Sequence, residues 1–370
     1  MTERIKVLIV DDSAMMRRMI KAILDTAPEI EVVGVARDGQ DAIEKDRQLS
    51  PDVITMDINM PSMDGMTSML HIFKQHPEAA MVMLSSLTQE GALSTFEALE
   101  LGAFDYVAKP SGTVSSNLYI VGKELIAKIK AASLYGQKMR RRGKLQRERQ
   151  PTRDSRLTPV QPIQAASPAI ALSPGTARIA VMIGVSTGGP STLMEILPKL
   201  PHDLNATVLV VQHMPAAFTA SFARRLGDNC NFPFAEARAG DRLFVSQGLV
   251  APGGIHMVVR RNPVRGEGIV RLTSQPEDTL FTPSVNVTMD SVLEYFGQQT
   301  IGVLLTGMGD DGADAMVNVR KAGGITIAED ESTAVVFGMP REAIERGGAS
   351  IVAPSYRIAG EIVKAVAKLS

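Results

Sequence analysis

The chain contains no tryptophan and one cysteine, Cys230, among 370 residues. A single cysteine excludes an intrachain disulfide and deprives any cysteine-based metal site of its ligands. Nothing around Cys230 lowers a thiol pKa, so it reads as a small buried residue. Charge of one sign is also missing. The formal net charge is -1, which provides no global field to recruit nucleic acid or an anionic membrane. No apolar run is long enough to cross a bilayer, and no apolar signal core follows Met1-Thr2-Glu3-Arg4-Ile5-Lys6. The expectation is a cytoplasmic, monomeric protein with no membrane insertion. There is no G-x-x-x-x-G-K-[ST] phosphate loop and no repeat at solenoid period. What is present is ordinary globular material, 45% hydrophobic and 21% charged, in a length that favours two domains.

Residues 1 to about 124 alternate short apolar runs with amphipathic stretches. Val7–Val10, Val32–Val35, Val53–Met56, Met81–Leu84 and Tyr106–Ala108 read as strands, and Ala14–Leu24 and Gly91–Leu101 as helices. That alternation predicts a parallel sheet with helices on both faces. Over 125–178 the preceding helix extends into a linker. Arg140, Arg141, Arg142, Lys144, Arg147 and Arg149 come first, then Pro, Ser, Gln and Ala dominate. The alternation resumes at Ile179 and continues to Ser370. Both flanking segments therefore read as doubly wound α/β domains, the first flavodoxin-like and the second Rossmann-like.

In the first domain Asp11 and Asp12 follow the first strand and Asp57 follows the third. Parallel strand ends can be neighbours, and three converging carboxylates are costly without a divalent cation. Hard oxygen ligands suit Mg²⁺. Lys109 after the fifth strand supplies a cation, and Ser85 or Ser86 after the fourth a hydroxyl. Taken singly, each aspartate also fits a turn or a helix N-cap.

In the second domain Ser186 lies in Gly184-Val185-Ser186-Thr187-Gly188, which fits a G-x-S-x-G nucleophile elbow. The segment by itself fits a glycine-rich phosphate cradle equally well. His213 follows Val208–Gln212, and Asp311 lies in Thr306-Gly307-Met308-Gly309-Asp310-Asp311-Gly312. Alone, His213 reads as a satisfied polar residue and the two aspartates as caps of the helix from Gly312 to Ala322. Together the hydroxyl, imidazole and carboxylate at strand ends are the parts of a nucleophile–base–orienter triad. The order Ser–His–Asp differs from that of α/β-hydrolases, which argues against that fold but not against the chemistry.

These motifs carry two resemblances. Val10-Asp11-Asp12-Ser13, Met56-Asp57-Ile58-Asn59-Met60-Pro61, Ser85 and Tyr106-Val107-Ala108-Lys109-Pro110 resemble the receiver domain of two-component response regulators. The resemblance implies phosphorylation of Asp57 by a histidine kinase. Mg²⁺ would be held by Asp12, Asp57 and the Asn59 carbonyl, with Asp11 assisting. Lys109, Ser85 and Tyr106 would form the phosphorylation switch. From about Ile179 onward, Ile183–Gly189, Gln212–Pro215, Ala251-Pro252-Gly253 with His256-Met257, Pro283-Ser284-Val285, Leu305–Gly312 and Val336–Ala343 resemble the chemotaxis protein-glutamate methylesterases. That family implies Ser186 as nucleophile, His213 as base and Asp311 as orienting acid. Backbone N–H groups near Thr187 and Met308 are the candidates for the oxyanion hole. It also implies hydrolysis of glutamyl methyl esters on chemoreceptor helices, deamidation of receptor glutamines, and no cofactor in the esterase domain. Thr279-Leu280-Phe281-Thr282 departs from relatives that carry basic residues there. The rival readings are a response regulator with a DNA-binding output, using the linker arginines, and a nucleotide-binding module built on the glycine-rich loops.

Overall fold

The computed structural model describes residues 4–109, 115–148 and 175–370. Its first unit runs β1 (Ile5–Val10), α1 (Ala14–Leu24), β2 (Ile30–Ala36), α2 (Gly39–Leu49), β3 (Val53–Asp57), α3 (Gly65–Gln75), β4 (Ala80–Ser85), α4 (Gln89–Glu100), β5 (Asp105–Ala108) and α5 (Ser115–Glu148). The strands form one parallel sheet in the order β2-β1-β3-β4-β5. β3, β4 and β5 are buried along their whole length, as expected for a sheet covered on both faces. Ser13, Asp38, Asp64 and Thr88 start α1 to α4 by accepting a backbone N–H of the first turn.

α5 is longer than the sequence pattern suggests. It continues through Gly136 and the Arg140–Arg142 run to Glu148. Apolar periodicity stops there, but Arg, Lys and Gln are good helix formers and no proline intervenes, so propensity sustains the backbone. The remainder of the expected linker, 149–174, lies outside the described residues.

The second unit runs β6 (Ala180–Val185), α6 (Gly189–Ile196), β7 (Thr207–Gln212), α7 (Ala216–Asn229), β8 (Phe234–Glu236), β9 (Gln247–Val250), β10 (His256–Arg261), β11 (Gly268–Thr273), α8 (Val285–Phe296), β12 (Thr300–Leu304), α9 (Ala313–Lys321), β13 (Ile325–Glu329), α10 (Met339–Glu345), β14 (Ile351–Ala353) and α11 (Ser355–Leu369). Seven parallel strands lie in the order β14-β13-β12-β6-β7-β9-β8. The chain leaves β6 in one direction to β7 and later returns on its other side as β12. The crevice at that reversal is where open α/β sheets bind ligands. The antiparallel β10–β11 hairpin stands outside the sheet and was not apparent in the strand–helix alternation.

The two units pack through an aromatic box. Phe96 of α4 meets Phe218 and Phe222 of α7 at centroid distances of 6.2 and 5.3 Å. Tyr106 of β5 stacks on Phe218 at 4.9 Å. Arg225 Nε donates to Glu100 Oε1 at 3.1 Å on the rim. Val335 and Val336, in the loop before α10, pack against the first unit's cluster that includes Leu125, Ile129 and Ala132.

Candidate active site and phosphoacceptor pocket

β6 and β7 pair in register, Val185 opposite Gln212, so Ser186 and His213 are adjacent residues beyond adjacent strand ends. Gln212 ties them together. Its side-chain amide donates to the carbonyls of Ser186 and His213, both at 3.0 Å. The Ser186 N–H donates to the Thr306 carbonyl at 3.0 Å, which brings in the strand-end loop that carries Asp311. Two glycines allow this crowding. Gly188 has a φ of 76°, and a Cβ there would lie 2.6 Å from Val335. A Cβ on Gly307 would lie 2.9 Å from the Ser186 Cβ. The elbow therefore exposes a serine above the sheet.

His213 Nε2 lies 2.8 Å from Asp311 Oδ2. Both side chains are nearly buried, at 7% and 9% exposed. Asp311 also accepts from Ser284 Oγ at 2.8 Å and from the N–H groups of Val285 at 2.7 Å and Asn286 at 3.0 Å. These last donors belong to the first turn of α8, whose orphan N–H groups and positive dipole end favour a carboxylate. Burial pushes the Asp311 carboxyl up. The His213 hydrogen bond and charge, with the Asn286 and Val285 N–H groups, outweigh that and hold it below its ordinary value. Its neighbour Asp310 points elsewhere, 58% exposed and 2.7 Å from the Arg346 guanidinium. Neither aspartate caps α9, whose N-cap is Gly312 in the left-handed region.

Because Asp311 takes Nε2, the free ring nitrogen is Nδ1, which is buried and has no hydrogen-bond partner among the described residues. No hydrogen bond joins it to Ser186 Oγ in this resting arrangement, and such bonds often tighten only with substrate bound. The N–H groups of Thr187 and Met308 have no acceptor among the described residues, so they remain available to an oxyanion. Thr187 is held in place by its carbonyl, which accepts from Thr306 Oγ1 at 2.9 Å. A cleft of about 410 Å³ lined by Met308, Gly309, Asp310, Phe337, Gly338 and Arg341 opens beside this loop.

Several supporting groups were not among the sequence expectations. Phe281 stacks on His213, with centroids 4.1 Å apart and planes at 11°. Glu329, fully buried, accepts the Thr306 N–H at 2.8 Å. Gln212 stood in the quoted motif without a role. A buried polar residue at a strand end was the available signal for Gln212 and Glu329. Phe281 gave no signal, because its contact crosses 68 positions of sequence.

In the first unit the three expected carboxylates do converge. Asp11, Asp12 and Asp57 each present an oxygen within 4.8 Å of the others. Lys109 Nζ lies 2.9 Å from Asp11 Oδ2 and 2.7 Å from Asp57 Oδ2. Both oxygens are buried and at ion-pair distance from the ammonium, yet outside hydrogen-bonding geometry. Burial raises the Asp57 pKa, and the Lys109 ion pair only partly offsets it. Burial lowers the Lys109 pKa, but Asp57 and Asp11 together leave it above its ordinary value. Three carboxylates facing one ammonium are a donor set that fits a divalent cation. The Asn59 N–H donates to Asp57 Oδ1 at 3.2 Å, which places that residue at the cluster. Ser85 Oγ points away, donating to the Gly91 carbonyl at 3.0 Å. Tyr106, 4% exposed, is held between Phe218 and Lys128, whose ammonium lies 4.9 Å from its ring. Lys128 also lies 3.4 Å from Asp105 and 2.9 Å from Glu124.

The response regulator receiver domain family matches residues 7–115, and the CheB methylesterase family matches residues 181–362. A protein-glutamate methylesterase/protein-glutamine glutaminase of Caldanaerobacter subterraneus subsp. tengcongensis is 50% identical, covering 99% of this chain and 98% of its own length. One from Pyrococcus horikoshii is 43% identical over 99% of this chain and 95% of its own. The crystal structure of the Thermotoga maritima CheB methylesterase catalytic domain is 39% identical, covering 50% of this chain and 97% of that one, with a TM-score of 0.49. With two family matches in tandem and relatives aligned along nearly its whole length, the chain belongs to the receiver-linked protein-glutamate methylesterase/protein-glutamine glutaminase family.

Proposed function

We propose that the chain is a phosphorylation-activated serine esterase. It hydrolyses glutamyl methyl esters on the cytoplasmic helices of chemoreceptors, releases methanol, and deamidates receptor glutamines by the same acyl chemistry. The observation that carries this reading is the buried Asp311–His213 pair, 2.8 Å apart, beside a serine elbow whose neighbouring N–H groups lack acceptors among the described residues. Ser186 Oγ attacks the side-chain carbonyl. His213 Nδ1 takes its proton, since Nε2 is committed to Asp311. Asp311 holds the ring and stabilises its cationic form. The Thr187 and Met308 N–H groups receive the developing oxyanion. His213 returns the proton to the leaving methoxide or amide nitrogen, and water clears the acyl-enzyme by the reverse path.

The receiver controls this site. A histidine kinase of the chemotaxis type donates the phosphoryl group to Asp57. The carboxylates of Asp12 and Asp57 and the Asn59 carbonyl would hold Mg²⁺, with Asp11 assisting, and the ion would neutralise charge on the incoming phosphoryl group. Lys109 then pairs with the acyl phosphate, and Ser85 must leave the Gly91 carbonyl to reach it. Tyr106 lies on β5, the strand that pairs with β4 and sets Ala108 opposite Ser85, and it stacks on Phe218, five residues beyond His213. A change at Asp57 therefore has a short route of packed groups to the helix that follows the base. Packing of Val335 and Val336 against the receiver cluster provides a second contact, beside the elbow. The test is methanol release from methylated receptor fragments, with and without a small phosphodonor. Ser186→Ala abolishes release, and Asp57→Ala removes only the response to phosphodonor. Methanol release persisting in Ser186→Ala sinks the esterase assignment.

A further inference from the structure

A second buried imidazole, His256, is fully enclosed at the start of β10. Its Nδ1 accepts the Ser284 N–H at 3.0 Å. Its Nε2 faces the Pro276 carbonyl at 3.2 Å and Thr279 Oγ1 at 3.3 Å. A backbone N–H can only donate and a carbonyl can only accept, so these partners require the neutral Nε2–H tautomer. The ring thereby joins both ends of the strap 274–283 that connects β11 to α8. Between those ends the strap is sparsely anchored. The Gly254 N–H donates to the Thr282 carbonyl at 3.0 Å, and Leu280 is 85% exposed.

The C-terminal end of that strap, where α8 begins, reaches the catalytic imidazole. Phe281 covers a face of His213 in parallel contact. Three residues on, Ser284, together with Val285 and Asn286 of the first turn of α8, grips Asp311, which holds the Nε2 edge. Resting on the esterase reading of Ser186, His213 and Asp311, we propose that His256 is a positioning residue for that reaction. Through Pro276 and Thr279 it holds Phe281 against the ring face of His213, and through Ser284 it presents the donors that hold Asp311. Face and edge contacts together stop the imidazole from rotating and keep water off one side, so Nδ1 meets Ser186 in a near-attack arrangement. His256 touches no reacting atom and exchanges no proton with substrate.

The test uses the full chain with phosphodonor. It measures kcat and KM on methylated receptor, and the rate at which a small phosphonate ester labels Ser186. Phe281→Ala lowers kcat and labelling by the same factor, about ten- to a hundredfold, with KM within about twofold. Phe281→Tyr, which keeps the ring, restores both. His256→Ala lowers both at least as far, and the His256→Ala/Phe281→Ala double variant falls no further than His256→Ala. If His256→Ala melts below the assay temperature, His256→Asn, which keeps one hydrogen-bonding group, takes its place in the cycle. A rise in KM with unchanged labelling in Phe281→Ala makes Phe281 a receptor contact and overturns the proposal. Additive losses in the double variant, or a His256 variant with full kcat, overturn it as well. Failure of the esterase reading shows separately, as methanol release that survives Ser186→Ala.

Discussion

Asp311→Asn exchanges one atom and removes one charge, and the site predicts how it will behave. Oδ2 accepts from His213 Nε2 and the Val285 N–H, while Oδ1 accepts from Ser284 Oγ and the Asn286 N–H. An asparagine amide can face either way. With its NH₂ toward Val285 it opposes two donors. With its NH₂ toward Ser284 it opposes only the Asn286 N–H, because the serine hydroxyl can turn to accept. The second orientation is favoured by about one unsatisfied donor, roughly 1–3 kcal/mol. His213 then keeps Nε2–H and its correct tautomer. What disappears is the carboxylate that stabilises the imidazolium in the transition state. At about 4 Å and an effective dielectric near 20, that attraction is worth about 4 kcal/mol. With 1.36 kcal/mol per tenfold, kcat falls by about a thousandfold. The assay is methanol release by the phosphorylated full chain, with thermal melting as the control for folding. A kcat within about tenfold of the parent, in a folded Asp311→Asn protein, refutes the assignment of Asp311 as the stabilising acid.

The neighbouring exchange Asp310→Asn removes only an exposed ion pair to Arg346, so kcat changes by less than about twofold; a larger loss points to the wrong aspartate. Phe218→Ala empties the box that joins Phe96, Tyr106 and α7, so unphosphorylated activity rises toward the phosphorylated level. Steady-state rates of the folded variant check this, and an unchanged ratio removes that interface from the switch. The folded pKa of Asp57 is raised by burial. Its contribution to stability is therefore present below its unfolded value and lost as pH rises through the folded one. Without divalent cation, Asp57→Asn melts higher than the parent, and the difference grows from acid to neutral pH; calorimetry across that range decides it. Burial pushes the Cys230 thiol up to about 12, so iodoacetamide leaves the folded enzyme unlabelled and fully active at pH 8. Rapid alkylation there contradicts the burial argument.

The linear pattern determined the two parallel sheets, because apolar runs buried on both faces read directly as strands and the intervening stretches as helices. It also determined which residue types stand at the strand ends. In a parallel sheet every β-to-α connection opens on one edge, so Asp11, Asp57 and Lys109, and likewise Ser186, His213 and Asp311, were bound to face a common crevice. Composition ended too early for α5, since periodicity reports packing whereas backbone propensity alone can carry a helix further.

Only the tertiary structure decided matters of direction. Asp310 and Asp311 are adjacent letters, yet the turn before α9 sends one to Arg346 and the other to the N-terminus of α8. Which imidazole nitrogen meets the acid follows from where α8 places that acid, 98 positions from His213. Tyr106 meets Phe218, Phe281 meets His213, and His256 bridges Pro276 and Ser284 through contacts between elements that no local period encodes. A hydrogen bond or a ring stack depends on the mutual placement of packed elements, and that placement exists only once the sheet, its helices and the strap have closed on one another.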